Sequence, residues 1–523
     1  MILRYGQRLI GLSLVVCLIA VCMMFTACSL DEHPHDQIPE EAGYTSHETL
    51  FLNTVATLYN YIGGYNEGQG LQGAIRGVYD LQTFGSDEAM LPLRGVDWYD
   101  GGIWINMYMH SWSAGHEVPK NAWLYLYKVI TLCNRSLETL ESHRALAAGN
   151  YSAWQAEVRA LRAMYYWYLI DLFGDVPLVT NSSVSMNEVK REKRAEVFKF
   201  CEEELLDVLN FLPDENSTRE GDFYGRITQH VAYFILAKLM LQSEVYTGVP
   251  RWEECIDYCD ELESRDYSLE PIYSSNFLVY NQNSSENIFT IPMDKNLFSN
   301  QQQNIVRSLH YRHAGAYGYG GENGTCATMN TLRVFGYPDD TDPRFFDCFH
   351  SSYVYASDGK PVTDRTGKPL KYEPDKVMLD LSGSPYVETA GARMFKYQFD
   401  KNATKDGKLV DNDIVLFRYA DVLLMRAECM VRLGQDGSKD FNAVRKRAGA
   451  KARECTLDNL YDERLLELCW EGWHRPDMIR FHRYKSLYEG AGAVNESDGH
   501  TEVYPIPADV RALNQNLTQN PGY

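Results

Sequence analysis

The chain has 523 residues, 71 acidic against 50 basic, and a formal charge of −21. That length supports more than one subdomain and a large buried core. The negative balance disfavours nucleic acid as a partner. Nine of the 12 cysteines lie beyond Cys28, an odd number without tight spacing, so neither a disulfide framework nor a zinc site is expected. Thirty-six Tyr and nine Trp exceed what core packing needs. Such rings suit surfaces that are apolar on a face and polar at an edge, as in sugar or peptide recognition.

The first element is a leader. Arg4 and Arg8 precede an uncharged apolar run from Leu9 to Phe25, followed by Thr26-Ala27-Cys28. The pattern is that of a secretory signal, residues 1–27, and a cysteine directly after the cut resembles a bacterial lipobox, with Cys28 lipidated. A membrane-spanning anchor is the alternative, but the run, roughly 17 residues, is at the short end of the spanning range. Asp31 and Glu32 resemble the acidic tag that sends Bacteroidota lipoproteins to the cell exterior.

Helical periodicity dominates the chain beyond the leader. Asn121 to Leu140 predicts a helix with Leu124, Tyr127 and Leu137 on the buried side. Glu157 to Phe173 predicts its partner, with Val158, Leu161, Tyr165, Tyr168 and Leu172 in a stripe ending at Gly174. A second pair spans Thr228–Tyr246 and Trp252–Glu263, with Cys255 and Cys259 as small buried groups. A third starts at Arg418 and continues with Asp440–Arg447. Glu202-Glu203-Glu204 is expected to be a solvated helical face, and Trp470 and Trp473 structural. Between about 265 and 417, Gly, Pro, Asn and Asp break the pattern and only short strand-like runs such as Ile288–Ile291 remain. The expected fold is mainly α: about four tetratricopeptide-like hairpins carrying a loop-rich, irregular excursion with short strands. Residues 28–264 form an N-terminal helical region bearing a ligand loop, and 265–523 a C-terminal region with the excursion and the last hairpin.

Two aromatic loops are candidates for binding. Arg94, Asp97, Trp98, Tyr99 and Asp100 fall within seven residues of a Gly-rich stretch. A flat ring with carboxylates and a guanidinium beside it is what a pyranose needs. Trp98 is the expected platform and Arg94, Asp97 and Asp100 its polar partners. The competing reading makes Trp98 and Trp104 loop anchors, with Arg94 paired to Asp97. Tyr317 and Tyr319 lie among Gly318, Gly320 and Gly321, which let the backbone turn tightly and leave the rings exposed; they are candidate second platforms or, equally, strand residues of a small sheet. His310 and His313 are expected to be hydrogen-bonded surface groups, and Asp339-Asp340-Thr341-Asp342 a solvated turn in preference to a calcium loop. No metal or cofactor is expected.

Several segments, taken in order, resemble the SusD/RagB family of outer-membrane lipoproteins. They are Ser86-Asp87-Glu88, Asp97-Trp98-Tyr99, Arg159-Ala160-Leu161-Arg162, Leu172-Phe173-Gly174-Asp175, Arg418-Tyr419-Ala420-Asp421, Ala427-Glu428, Arg445 to Gly449, Glu463-Arg464, Glu467, Glu471, Asp477 and Gln519-Asn520-Pro521-Gly522-Tyr523. Trp473-His474-Arg475-Pro476 departs from the family pattern in a segment expected to be structural. The resemblance implies a binding protein, not an enzyme. It implies a lipid-anchored protein on the cell exterior that captures oligosaccharides as a lid over a SusC-like TonB-dependent transporter. It also implies that the loop after the first helices and the Tyr317 region meet at the ligand. Peptide capture on the same scaffold is the alternative, and a surface glycoside hydrolase, needing two carboxylates about 5–9.5 Å apart, is the more distant one.

Overall fold

The longest helices form where apolar side chains recur on the helical period. In the computed structural model, which describes residues 44–484 and 499–523, α1 spans Glu117–Ser142 and α2 spans Tyr151–Phe173. The leader, Cys28 and the acidic tag lie outside the described residues. His116 caps α1 by accepting the Val118 N–H at 3.4 Å, and Gly174, at φ +70°, ends α2. α2 is buried almost all round because α1 packs on one side and α3, Arg194–Val208, on another.

The buried face of α1 differs from expectation. Leu124 is 49% exposed, and Tyr127 and Leu137 are half-buried. Trp123, Leu126, Ile130 and Cys133, spaced by three and four, make the contact instead. The apolar stripe is broader than the interface, and the neighbouring helix selects which edge of it is covered.

α4, Gln229–Leu241, packs on α5, Trp252–Glu263, and the Cys255 thiol donates to the Ala237 carbonyl at 3.3 Å. All nine cysteines from Cys133 to Cys469 are free thiols. α5 packs on α6, Tyr419–Arg432, which also meets α7, Ser438–Arg447, and α8, Leu457–Leu468; α9, His474–Arg480, comes next. The excursion is tied at both ends by one ladder: β1, Asn287–Ile291, pairs antiparallel with β2, Ile414–Arg418, every residue buried. Residues Ser46–Tyr523 thus form one mainly helical unit. Among the described residues no helix is long and apolar enough to cross a membrane.

Buried ions join the excursion to the last helices. Arg418 reaches Glu286 at 2.8 Å, Glu467 at 2.5 Å and Glu471 at 2.8 Å. Arg344 reaches Glu463 at 2.7 Å and Glu467 at 2.9 Å, while Lys396 pairs with Glu471. Arg464 pairs with Asp421 and Asp477, and Arg480 with Glu428 and Asp477. An unmatched buried charge is far costlier than a matched one, so these contacts admit few alternative packings. Glu204 belongs to a similar set: it is buried and held at 2.6 Å by both Arg159 and Arg162, which corrects the expectation of a wholly solvated face. Glu202 pairs with Arg251 at 2.7 Å, whereas Glu203 and Lys199 pair loosely in solvent.

Candidate ligand-binding site

The loop carrying Trp98 is fixed at its base. Leu93 exchanges backbone hydrogen bonds with Leu379 and Leu381, and Arg94 and Asp97 exchange both of theirs at 3.0 and 3.2 Å around Gly95, at φ +72°. The turn lifts Val96 to 90% exposure.

Arg94 is a strut of this loop. Its guanidinium is buried and donates to the carbonyls of Val387 at 2.8 Å and Ala390 at 2.9 Å. Burial, with Arg393 nearby, pulls its pKa down to about 9. A side chain so enclosed has no face for a ligand, which corrects its expected role as a polar partner. The Arg94–Asp97 pairing is a backbone one, because the Asp97 carboxylate instead accepts the Tyr311 hydroxyl at 2.8 Å.

Trp98 is both anchored and open. Its indole N–H donates to the Glu322 carbonyl at 3.0 Å, its edge meets Trp104 at 6.2 Å, and its ring lies on Gly324, yet it remains partly exposed. Tyr99 beside it is 58% exposed. Asp100 accepts from the Trp104 indole at 2.8 Å and from Arg76 at 3.0 Å, so it braces the loop while staying at the surface. Trp104 itself is core.

The second loop starts with the short helix Tyr311–Gly315, capped by the His310 imidazole, which accepts the Arg312 N–H at 3.1 Å. Arg365 lies over the Tyr311 ring at 5.4 Å and pairs with Glu388 at 3.2 Å, and the other oxygen of Glu388 faces His310 at 3.2 Å. Burial and the Asp97 carboxylate push the Tyr311 phenol up to about 12, keeping it a hydrogen-bond donor. Tyr317 is half-buried, with its hydroxyl on the Tyr355 carbonyl at 3.1 Å and its ring against Phe399 at 4.7 Å.

Tyr319 is only 5% exposed. Its hydroxyl donates to the Asp400 carbonyl at 3.0 Å, and its ring covers Gly407 so closely that a Cβ there would fall 2.3 Å from it. The glycines around it seat a ring in the core, which corrects the expectation of an exposed platform. His310 and His313 are likewise buried, contrary to the expected surface position. His313 meets the Tyr372 hydroxyl at 3.0 Å, and burial lowers its pKa to about 3. Asp342 engages Arg344 through both oxygens at 2.9 Å. Among the described residues no group of three or more His, Cys, Asp or Glu is arranged to hold a metal ion.

The loops therefore bring together Trp98, Tyr99, Asp97, Tyr311, Arg365 and Glu388. Ring faces flanked by a guanidinium and carboxylates match a polyhydroxylated ligand with an apolar side. Arg365 and Glu388 had no local signal in the sequence. They lie in polar turns far along the chain, and only the folding of the excursion carries them to Tyr311.

The chain is similar to known proteins over nearly all of the described length. A family model described as "SusD family" matches residues 285–523, and one described as "Starch-binding associating with outer membrane" matches 81–241. The starch-binding protein SusD of Bacteroides thetaiotaomicron is 27% identical, over 88% of this chain and 87% of that one. A SusD-like protein of Bacteroides ovatus is 25% identical, over 91% and 84%. Among solved structures, surface glycan-binding protein A from Bacteroides thetaiotaomicron, in complex with laminarihexaose, superposes with a TM-score of 0.72. It is 20% identical and is matched over 91% of this chain and 100% of that one. A laminarin-binding SusD-like protein gives a TM-score of 0.70 at 20% identity, over 92% and 100%. With two SusD-type family models matching residues 81–241 and 285–523, the SusD relative aligned over most of the chain and the helical fold shared, the chain belongs to the SusD family.

Proposed function

We propose that this protein is a cell-surface glycan-binding lipoprotein. It captures oligosaccharide without cleaving it and passes it to a SusC-like TonB-dependent transporter, held at the outer membrane by lipid on Cys28. The observation that carries this reading is the Trp98–Tyr99 loop. It is an aromatic pair kept at the surface by a backbone turn, an indole hydrogen bond and two carboxylate braces. A surface aromatic fixed in one pose loses little entropy when a sugar stacks on it. The names of the relatives, starch-binding and laminarin-binding, support a glucan or similar neutral glycan. Asp97 and Asp100 are both engaged in bracing the loop, which supports capture over hydrolysis.

Each stacked ring adds about 0.5–1.5 kcal/mol beyond area burial, so affinities of about micromolar to millimolar are expected. The test is a glycan panel titrated into soluble protein starting at Ser29, beside Trp98→Ala and Tyr99→Ala. Binding to one polysaccharide that Trp98→Ala weakens about tenfold or more supports the reading. A folded protein that binds no glycan but retains peptides from the native complex refutes it.

A further inference from the structure

A second recess lies apart from the Trp98 loop and shares no residue with it. Two cavities, of 580 and 290 Å³, have Phe51, Asp222 and Arg226 as common walls. Small-molecule sites occupy about 300–1,000 Å³; the larger cavity falls within that range and the smaller just below it, and their shared walls set them side by side as a two-part trench. Trp154, only 6% exposed, backs the larger cavity from the core, with the rings of His47 at 4.5 Å and Phe51 at 5.2 Å against it. Phe211, 54% exposed, lines the larger cavity and Phe298, 42% exposed, the smaller.

Arg226 is set between the two cavities with unusual rigidity. Its guanidinium lies 5.0 Å from the Phe51 ring and 5.2 Å from the Phe223 ring. Nε donates to Glu157 at 3.1 Å, a second nitrogen donates to the other Glu157 oxygen, and Nη1 donates to the Asp222 carbonyl at 2.9 Å. Glu157 is itself buried and takes the Tyr59 hydroxyl at 2.8 Å. Three of the five guanidinium donors are thereby committed and the plane is locked. The helix along this wall is irregular: Leu52–Ala56 is π-helical between α-helical turns. Such segments are rare and recur at functional sites.

We infer that this trench is a second oligosaccharide-binding site, for a neutral glycan that stacks on its rings and hydrogen-bonds Arg226 and Asp222. The Arg226 cation is already matched by Glu157, while Glu48 and Asp222 add carboxylates to the walls. Sulfated or uronic chains are therefore disfavoured, and hydroxyl groups fit the remaining donors and acceptors. The inference takes its ligand class from the proposed glycan capture, but its location stands on the trench alone. Two separated weak sites on one chain hold a long polymer by effective concentration.

The experiment is calorimetric titration of the Ser29–Tyr523 protein with laminarihexaose, maltohexaose and cellohexaose, in wild type, Trp98→Ala, Ala153→Trp and Phe223→Ala. Ala153 lies half-buried on α2 and lines the trench, so a large ring there fills the space without emptying the core. The expected result is residual binding in Trp98→Ala that falls about tenfold or more when Ala153→Trp or Phe223→Ala is added. A wild-type isotherm that Trp98→Ala abolishes and Ala153→Trp leaves unchanged overturns the trench while leaving the proposed function intact. Loss in Ala153→Trp with no effect of Trp98→Ala supports the trench and removes the first site. No binding of any probe to folded wild type overturns both.

Discussion

Gly324→Ala tests whether Trp98 acts as a rigid platform without touching any exposed group. A Cβ at Gly324 would sit 2.6 Å from Trp98 Cε2 and Cζ2 and 3.0 Å from the Arg307 carbonyl, where ordinary contact is 3.4–4 Å. The indole must therefore move by about 1 Å, straining its hydrogen bond to the Glu322 carbonyl. Overpacking of this size costs about 1–3 kcal/mol. If the strain emerges as misalignment of the platform, about 1.4 kcal/mol of it weakens glycan binding tenfold. The assay is a double-mutant cycle: titration of the best glycan, and urea unfolding, for wild type, Gly324→Ala, Trp98→Ala and the double variant. With the ring gone, Gly324→Ala has nothing to displace but the Arg307 carbonyl, so the two binding losses should fail to add, by about 0.5–1.5 kcal/mol. Fully additive binding losses would refute the idea that Gly324 acts through Trp98.

The buried charges carry two further expectations. Glu467→Gln removes the carboxylate that serves Arg418, Arg344 and Arg447 at once, and should destabilise the protein by at least about 3–5 kcal/mol in urea unfolding; a change within about 0.5 kcal/mol would contradict the network. Acid should destabilise in two stages. Burial lowers His313 and His110 to about 3, so the stability of keeping them neutral is complete above the unfolded value near 6.5 and is lost as pH falls below it. Burial alone would raise Glu428, but the Arg480 guanidinium holds it down to about 2. Its contribution, about 3 kcal/mol, is present above the unfolded carboxylate value and lost as pH falls from about 4.5 toward 2. Unfolding midpoints that stay flat from pH 7 to 4 would contradict the histidine stage.

Local sequence was sufficient where one short segment makes its own structure. Helical period placed α5 at Trp252–Glu263 and ended α2 at Gly174, because side chains three and four apart share a face whatever lies opposite. The glycines flanking Asp97-Trp98-Tyr99 likewise marked a turn, because Gly95, Gly101 and Gly102 adopt positive φ at little cost, and Tyr99 is exposed on it. The family was legible for a different reason. Arg418, Asp421, Glu428, Glu463, Glu467 and Glu471 are buried ions held in matched pairs, and such a set tolerates few replacements. The same charges hid α8, because Glu463, Arg464 and Glu467 lie among its buried residues and blur the apolar period.

Positions that depend on a partner distant in sequence were set by the packed fold. Arg94 and Tyr319 have the composition of site residues, but carbonyls near 387–390 and 400 and the bare backbone of Gly407 draw them inward. Leu124 has the composition of a core residue and faces solvent, because the helices packed on α1 cover the neighbouring stripe. Arg365 and Glu388 join Tyr311 only through the folded excursion. The helical scaffold, the family and the aromatic turn were readable from residue order, since they rest on local periodicity and matched buried charges. Which of the candidate side chains are buried and which stay exposed was decided by long-range packing, since burial and hydrogen-bond satisfaction belong to the whole fold and not to any one segment.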